Sequence, residues 1–210
     1  MISVLLAAPA VGLGCLLAYQ ASNGNLRAVA PAKVYRSGQP TANQFKKWTE
    51  RFGFRTVINL RGSNSQVVAD EEAMAGELGL KMITFDLSAH RLPAKGVLLG
   101  LVEALETAEQ PVLIHCQSGI DRAGTASALA AMVIGQTPYD MAKWQAYVAP
   151  GPWKRMTFRN RKYYRDYSHI SDLLCHYERF CKQHDLDIND LRQLKKWIAS
   201  TDALPEVELE

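Results

Sequence analysis

The sequence predicts an α/β protein: one mostly parallel, twisted sheet flanked by helices, with extra helices at the C-terminal end. Three observations predict it. Short apolar runs rich in β-branched residues alternate with longer helix-like stretches between Val34 and Ile134. Gly53, Gly79 and Pro93 punctuate the junctions. The most reactive side chains stand where a strand-like run ends and a helix-like run begins, the place at which open α/β sheets bind ligands.

Val34 to Ser37 reads as the first strand of this series. Thr41 to Phe52 reads as a helix with Thr41 as N-cap and Gly53 as C-cap. Thr56 to Leu60 is the next strand, Val67 to Leu78 a helix with Gly79 after it, and Lys81 to Phe85 a strand. Pro93 to Ala108 is a helix, with proline suited to its first turn. Val112 to His115 is a buried strand, and the Ala-, Leu- and Met-rich stretch from Arg122 to Ile134 is a helix behind it. After Pro138 the chain reads as helical. Ser168 to His184 and Ile188 to Ser200 form two amphipathic helices joined near Asp185-Leu186-Asp187, either a helical cap or a dimerisation surface.

The junction segment reads His115-Cys116-Gln117-Ser118-Gly119-Ile120-Asp121-Arg122. A loop that opens a helix converges several backbone N–H groups on one point, and the helix dipole adds positive potential there. Such a nest holds a dianion such as phosphate. Gln117, Ser118, Gly119, Ile120, Asp121 and Arg122 are therefore candidate phosphate-binding residues. Gly119 lets the backbone turn tightly. Arg122 can grip two phosphate oxygens in a bidentate fork. The same field favours the thiolate of Cys116, the nucleophilic form. His115 reads as a supporting residue that positions the loop. The implied chemistry is in-line attack of sulfur on phosphorus, giving a phosphocysteine that water hydrolyses.

This loop resembles the phosphate-binding loop of the cysteine-dependent protein tyrosine phosphatase superfamily. The segment from Tyr35 to Thr125 looks like the compact dual-specificity type of bacteria and fungi. Tyr35-Arg36-Ser37-Gly38-Gln39-Pro40 and Thr56-Val57-Ile58-Asn59-Leu60-Arg61 are similar to the opening strands of that subgroup. The resemblance implies a phosphomonoester hydrolase with Cys116 as nucleophile and Arg122 as transition-state clamp. Two departures stand out. Family members usually carry Ser or Thr directly after the arginine, where the hydroxyl stabilises the departing thiolate; here that residue is Ala123, with Thr125 as a substitute. The family also supplies its general acid from an aspartate about thirty residues upstream. Asp86 matches that place and His90 lies further along the same loop. Asp121 is a third candidate, since its pairing with Arg122 resembles myotubularin-type and Sac-type lipid phosphatases.

Composition bounds the alternatives. A chain of 210 residues with 48% hydrophobic and 21% charged residues is ordinary for a globular catalytic protein. The net charge of +3 does not by itself imply a polyanionic partner. Of the four cysteines, Cys175 and Cys181 lie six apart in one predicted helix and are poorly placed to bridge. No metal-ligand spacing occurs, so no metal or cofactor is expected. Ile2 to Tyr19 has no charged residue, which predicts a membrane anchor, with a cleaved export signal as the competing reading. The expected location is a bacterial inner membrane, with the side left open. Gly151 to Arg165 carries six basic residues, no acidic one, and interleaved aromatics. It is either a platform for anionic lipid headgroups or a solvated basic face; no nucleic acid partner is expected.

The expected division is 1–21 anchor or signal, 22–31 linker, 32–150 catalytic domain, and 151–210 basic-aromatic segment with C-terminal helices. The expected substrate is a phosphoprotein or an anionic phospholipid or glycolipid. A membrane-surface lipid phosphatase, a non-catalytic phosphate-binding module and a rhodanese-like sulfurtransferase are the alternatives.

Overall fold

The structure, a computed structural model, describes residues 23–63, 66–147 and 169–204. Five strands form one sheet in the order β1-β2-β5-β3-β4. They are β1 (Arg27–Ala30), β2 (Val34–Ser37), β3 (Thr56–Asn59), β4 (Lys81–Thr84) and β5 (Val112–His115). β2, β5, β3 and β4 run parallel, and β1 is antiparallel to β2. The helices are α1 (Ala42–Phe52), α2 (Gln66–Glu77), α3 (Lys95–Thr107), α4 (Asp121–Val133), the short α5 (Tyr139–Ala142) and α6 (Trp144–Tyr147), then α7 (Leu173–Gln183) and α8 (Leu191–Ser200). A short 3-10 turn, Ile170–Asp172, leads into α7.

β3 and β5 are buried at every position, which is why Val57-Ile58 and Val112-Leu113-Ile114 are consecutive apolar residues rather than alternating ones. Val57 and Leu113 pack with Phe45 and Trp48 of α1 and Ala75 of α2. Ile58, Val112 and Ile114 face the opposite layer, built from α3, α4 and the C-terminal helices. Every residue of α4 from Ala123 to Met132 is buried. Small side chains allow this central packing: a Cβ on Gly124 would come 2.9 Å from the Gln145 carbonyl of α6. Leu194, Trp197 and Ile198 of α8 turn into the same core, and Tyr139 donates from its hydroxyl to the Leu174 carbonyl at 2.8 Å. The apolar faces of the C-terminal helices are thus spent on this layer.

The ends of α1 match the sequence reading. Thr41 and Gln44 form a reciprocal capping box, and Gly53 closes the helix in the left-handed conformation. Two expectations need correction. Residues 22–31 do not form a linker throughout, because Arg27–Ala30 pair with β2 as an edge strand. The tight turn at 31–33, closed by Lys33 N–H donating to the Ala30 carbonyl, folds that segment back. Its strand character comes from this partner rather than from its own composition. The third helix starts at Lys95, not Pro93, since Ala94 remains extended as the N-cap. Among the described residues no helix is long and apolar enough to cross a membrane. The expected anchor at 2–19, Cys15 and the basic stretch at 151–165 lie outside the described residues.

Candidate active site

Ser37, His115, Asn59 and Thr84 stand in register at the carboxyl ends of four parallel strands. The loops that follow them therefore open on the same edge of the sheet. The loop after β5 is the His115–Arg122 segment. Cys116 is buried at 2% exposure, whereas Gln117 and Ser118 are exposed.

Neighbouring loops hold this one in shape. Gly119 has φ +70, and a Cβ on it would lie 2.5 Å from the Gly38 nitrogen and 2.6 Å from the Ser37 carbonyl oxygen. Glycine is therefore required both by conformation and by the close passage of the β2 end. Gln39 N–H donates to the Gln117 carbonyl at 3.1 Å. Asn25 Nδ2 donates to the carbonyls of Ser118 and Gly119 at 3.0 and 3.2 Å. Three consecutive loop carbonyls are thus taken by protein donors. Ile120, the N-cap of α4, makes no side-chain cap bond, so the first-turn amides of α4 remain suited to an anion.

Arg122 is partly buried in that first turn. Its Nη1 donates to the Leu60 carbonyl at 3.1 Å and to the Leu87 carbonyl at 3.2 Å. One arm of the guanidinium is thereby fixed to the loops after β3 and β4. The second loop carries Asp86 and His90. Asp86 is exposed and forms an isolated antiparallel bridge with Arg61. Its carboxyl lies where a Cβ on Gly62 would be, 2.8–3.1 Å from that point, so a side chain at 62 would displace it. His90 is exposed, with its N–H on the Ser88 hydroxyl.

Asp121 opens α4 and faces His169, with Oδ1 3.6 Å from Nε2. Ala123 is fully buried, so the position directly after Arg122 brings a methyl group and no hydroxyl. Thr125 is also buried, at 3% exposure, and its hydroxyl has no hydrogen-bond partner among the described residues. His115 is wholly buried, with Nε2 2.9 Å from Glu71 Oε1.

Several of these residues escape a reading of the sequence. Arg36 sits on β2 opposite Ile114 and is 1% exposed. Burial pulls its guanidinium down to about 10, the Arg27 charge adds to that, and the nearby Cys116 opposes it. At neutral pH it stays charged, a buried cation close to the thiol. It lay inside the Tyr35–Pro40 motif, which was the available signal. Glu71 and His169 gave no such signal, because each meets the loop only through tertiary contacts.

A buried cysteine at the carboxyl end of a central parallel strand, a helix-opening loop and a tethered arginine define a cysteine-dependent phosphatase. The family described as a DSP-PTPase phosphatase fused to NAD+ kinase matches residues 14–149, and the chain belongs to that family. Solved structures share the fold. The core catalytic domain of PP-IP phosphatase SIW14 from S. cerevisiae, in complex with citrate, is 18% identical with a TM-score of 0.50, over 77% of this chain and 93% of that one. A mutant form of Tk-PTP is 17% identical with a TM-score of 0.53, over 75% of this chain and 97% of that one. No curated protein matches by sequence. The chain is a phosphatase that works through a cysteine.

Proposed function

We propose that Cys116 is the nucleophile, Arg122 the phosphate clamp and Asp86 the proton donor of a phosphomonoester hydrolase. The observation that carries this reading is the tether of Arg122 to Leu60 and Leu87, which joins the phosphate loop to the loop bearing Asp86. In the first step the Cys116 thiolate attacks phosphorus, the ester P–O bond breaks, and Asp86 protonates the leaving oxygen. In the second, water attacks the phosphocysteine, the S–P bond breaks, and the Asp86 carboxylate takes the proton from water. Arg122 Nε and Nη2 supply the fork that meets the equatorial oxygens as charge develops on them.

Asp121 serves better as a structural carboxylate. It stands in the first turn of α4, where the dipole complements its charge, and it faces His169. The comparison that tests this uses a poor leaving group such as an alkyl phosphate against a good one such as a nitrophenyl phosphate. Asp86→Asn is expected to lower kcat on the poor leaving group by about 10²-fold and to spare the good one. Asp121→Asn is expected to affect both alike. A selective loss in Asp121→Asn, with Asp86→Asn unaffected, would reverse the assignment.

Attachment to a membrane through residues 2–19 is a further part of this reading, supported by their eighteen uncharged residues. The full chain is expected to sediment with membranes and to be released by detergent but not by high salt. Recovery in the supernatant without detergent would contradict it.

A further inference from the structure

Glu71 occupies a position that hydrophobic spacing assigns to the core. The buried residues of α2 are Val68, Glu71 and Ala75, one stripe at helical spacing. A carboxylate there is costly unless it is paired, and an apolar side chain would fit the stripe at less expense. Glu71 is 5% exposed, and each of its oxygens lies against a polar side chain. Oε1 contacts His115 Nε2 at 2.9 Å, and Oε2 accepts from Gln39 Nε2 at 2.8 Å. Gln39 Oε1 in turn accepts from Arg61 Nη1 at 2.7 Å, while the Gln39 backbone N–H holds the Gln117 carbonyl. Neither ring nitrogen of His115 meets hydrogen-bond geometry with a partner among the described residues, so the 2.9 Å approach of Glu71 Oε1 is the polar contact given for the ring there.

We propose that Glu71 is a positioning residue of the hydrolysis: through His115 and Gln39 it sets the geometry of both ends of the Cys116 segment. His115 is the residue immediately before the nucleophile, and Gln117 the residue immediately after it. Glu71 reaches the first directly and the second through one side chain. The chain of contacts continues to Arg61, whose backbone forms an isolated β-bridge with that of Asp86. The buried carboxylate therefore ties the nucleophile's two flanks to the base of the loop that bears the proton donor. Neither Glu71 nor Gln39 needs to touch the phosphate for this role. The proposal rests on Cys116 being the nucleophile.

The test is a double-mutant cycle in the full chain with a small aryl phosphate. Glu71→Gln keeps the size of the side chain and removes its charge. It is expected to lower kcat by about 10- to 100-fold with KM changed less than about twofold, since a displaced nucleophile impairs attack more than binding. In a His115→Asn background the same substitution is expected to have a clearly smaller effect, because the direct route through His115 is already cut and only the route through Gln39 remains. A folded Glu71→Gln variant with kcat within about twofold of wild type overturns the proposal. So does an equal loss in both backgrounds. Where Glu71→Gln fails to fold, Gln39→Met carries the test, since it removes the bridge but leaves the buried pair. Its kcat is expected to fall with native thermal melting, and unchanged kcat there also overturns the proposal. Cys116→Ser, run in the same assay, separates this failure from a failure of the nucleophile assignment.

Discussion

Cys116→Ser is expected to abolish hydrolysis of a small aryl phosphate while the folded protein still binds it. The thiol lies at 2% exposure under a loop that is held from outside by Gly38, Gln39 and Asn25. None of those contacts uses the sulfur atom. Exchange of sulfur for the smaller oxygen therefore leaves the cradle of loop amides and Arg122 in place. It removes the one group in the loop that is nucleophilic without a dedicated base. A serine hydroxyl at the same point would need such a base. The expected loss in kcat is at least about 10³-fold. Calorimetric titration of both proteins with a non-hydrolysable aryl phosphonate should give affinities within about threefold of each other, since uniform binding is untouched. Retained turnover would remove Cys116 from the mechanism, and lost binding would mean that the sulfur shapes the cradle.

Arg122→Lys is expected to cost about 10²- to 10³-fold in kcat/KM, or about 3–4 kcal/mol of transition-state stabilisation. Two separate features of the arginine are lost. One is the planar fork, which an ammonium cannot reproduce against two phosphate oxygens. The other is the Nη1 tether to the carbonyls of Leu60 and Leu87. Lysine retains the unit charge, so a clamp that acted by charge alone would survive the change. Steady-state kinetics beside a melting curve make the distinction. A Lys variant within tenfold of wild type would show that charge suffices and that the fork and tether are incidental.

The parts of this fold that were legible in the sequence are those whose signals are local. β5 was bounded correctly at both ends because its four apolar-to-histidine residues are followed at once by loop chemistry. α1 declared its ends through Thr41 and Gly53, whose capping roles depend on residues within one turn. The phosphate loop was readable because its chemistry sits in eight consecutive residues. What escaped was set by partners distant in the chain. β1 is a strand because β2 lies beside it, and four residues of Arg, Ala and Val do not announce that pairing. Glu71 looks like any charged helix residue until α2 is docked and its side chain meets His115 forty-four positions later. His169 meets Asp121 from beyond the matched family segment. The neighbours that favour the proposed Asp86 over Asp121 are likewise tertiary, namely Leu87 held by Arg122 on one side and His169 on the other.

The structure also sharpens the meaning of Ala123. Its methyl group is fully buried in the α4 core, while the hydroxyl two residues on, at Thr125, is buried and has no hydrogen-bond partner among the described residues. The residue directly after Arg122 therefore offers no hydroxyl to the Cys116 segment.

The most direct measurement is rapid quench of the full chain mixed with excess aryl phosphate into denaturant at neutral to mildly alkaline pH, where an S–P bond survives, followed by peptide mass spectrometry. The account predicts a phosphoryl group on the peptide that contains Cys116, located on its sulfur and absent from the Cys116→Ser variant. Phosphate found on another residue, or product released in a burst with no protein adduct at any quench time, would contradict it.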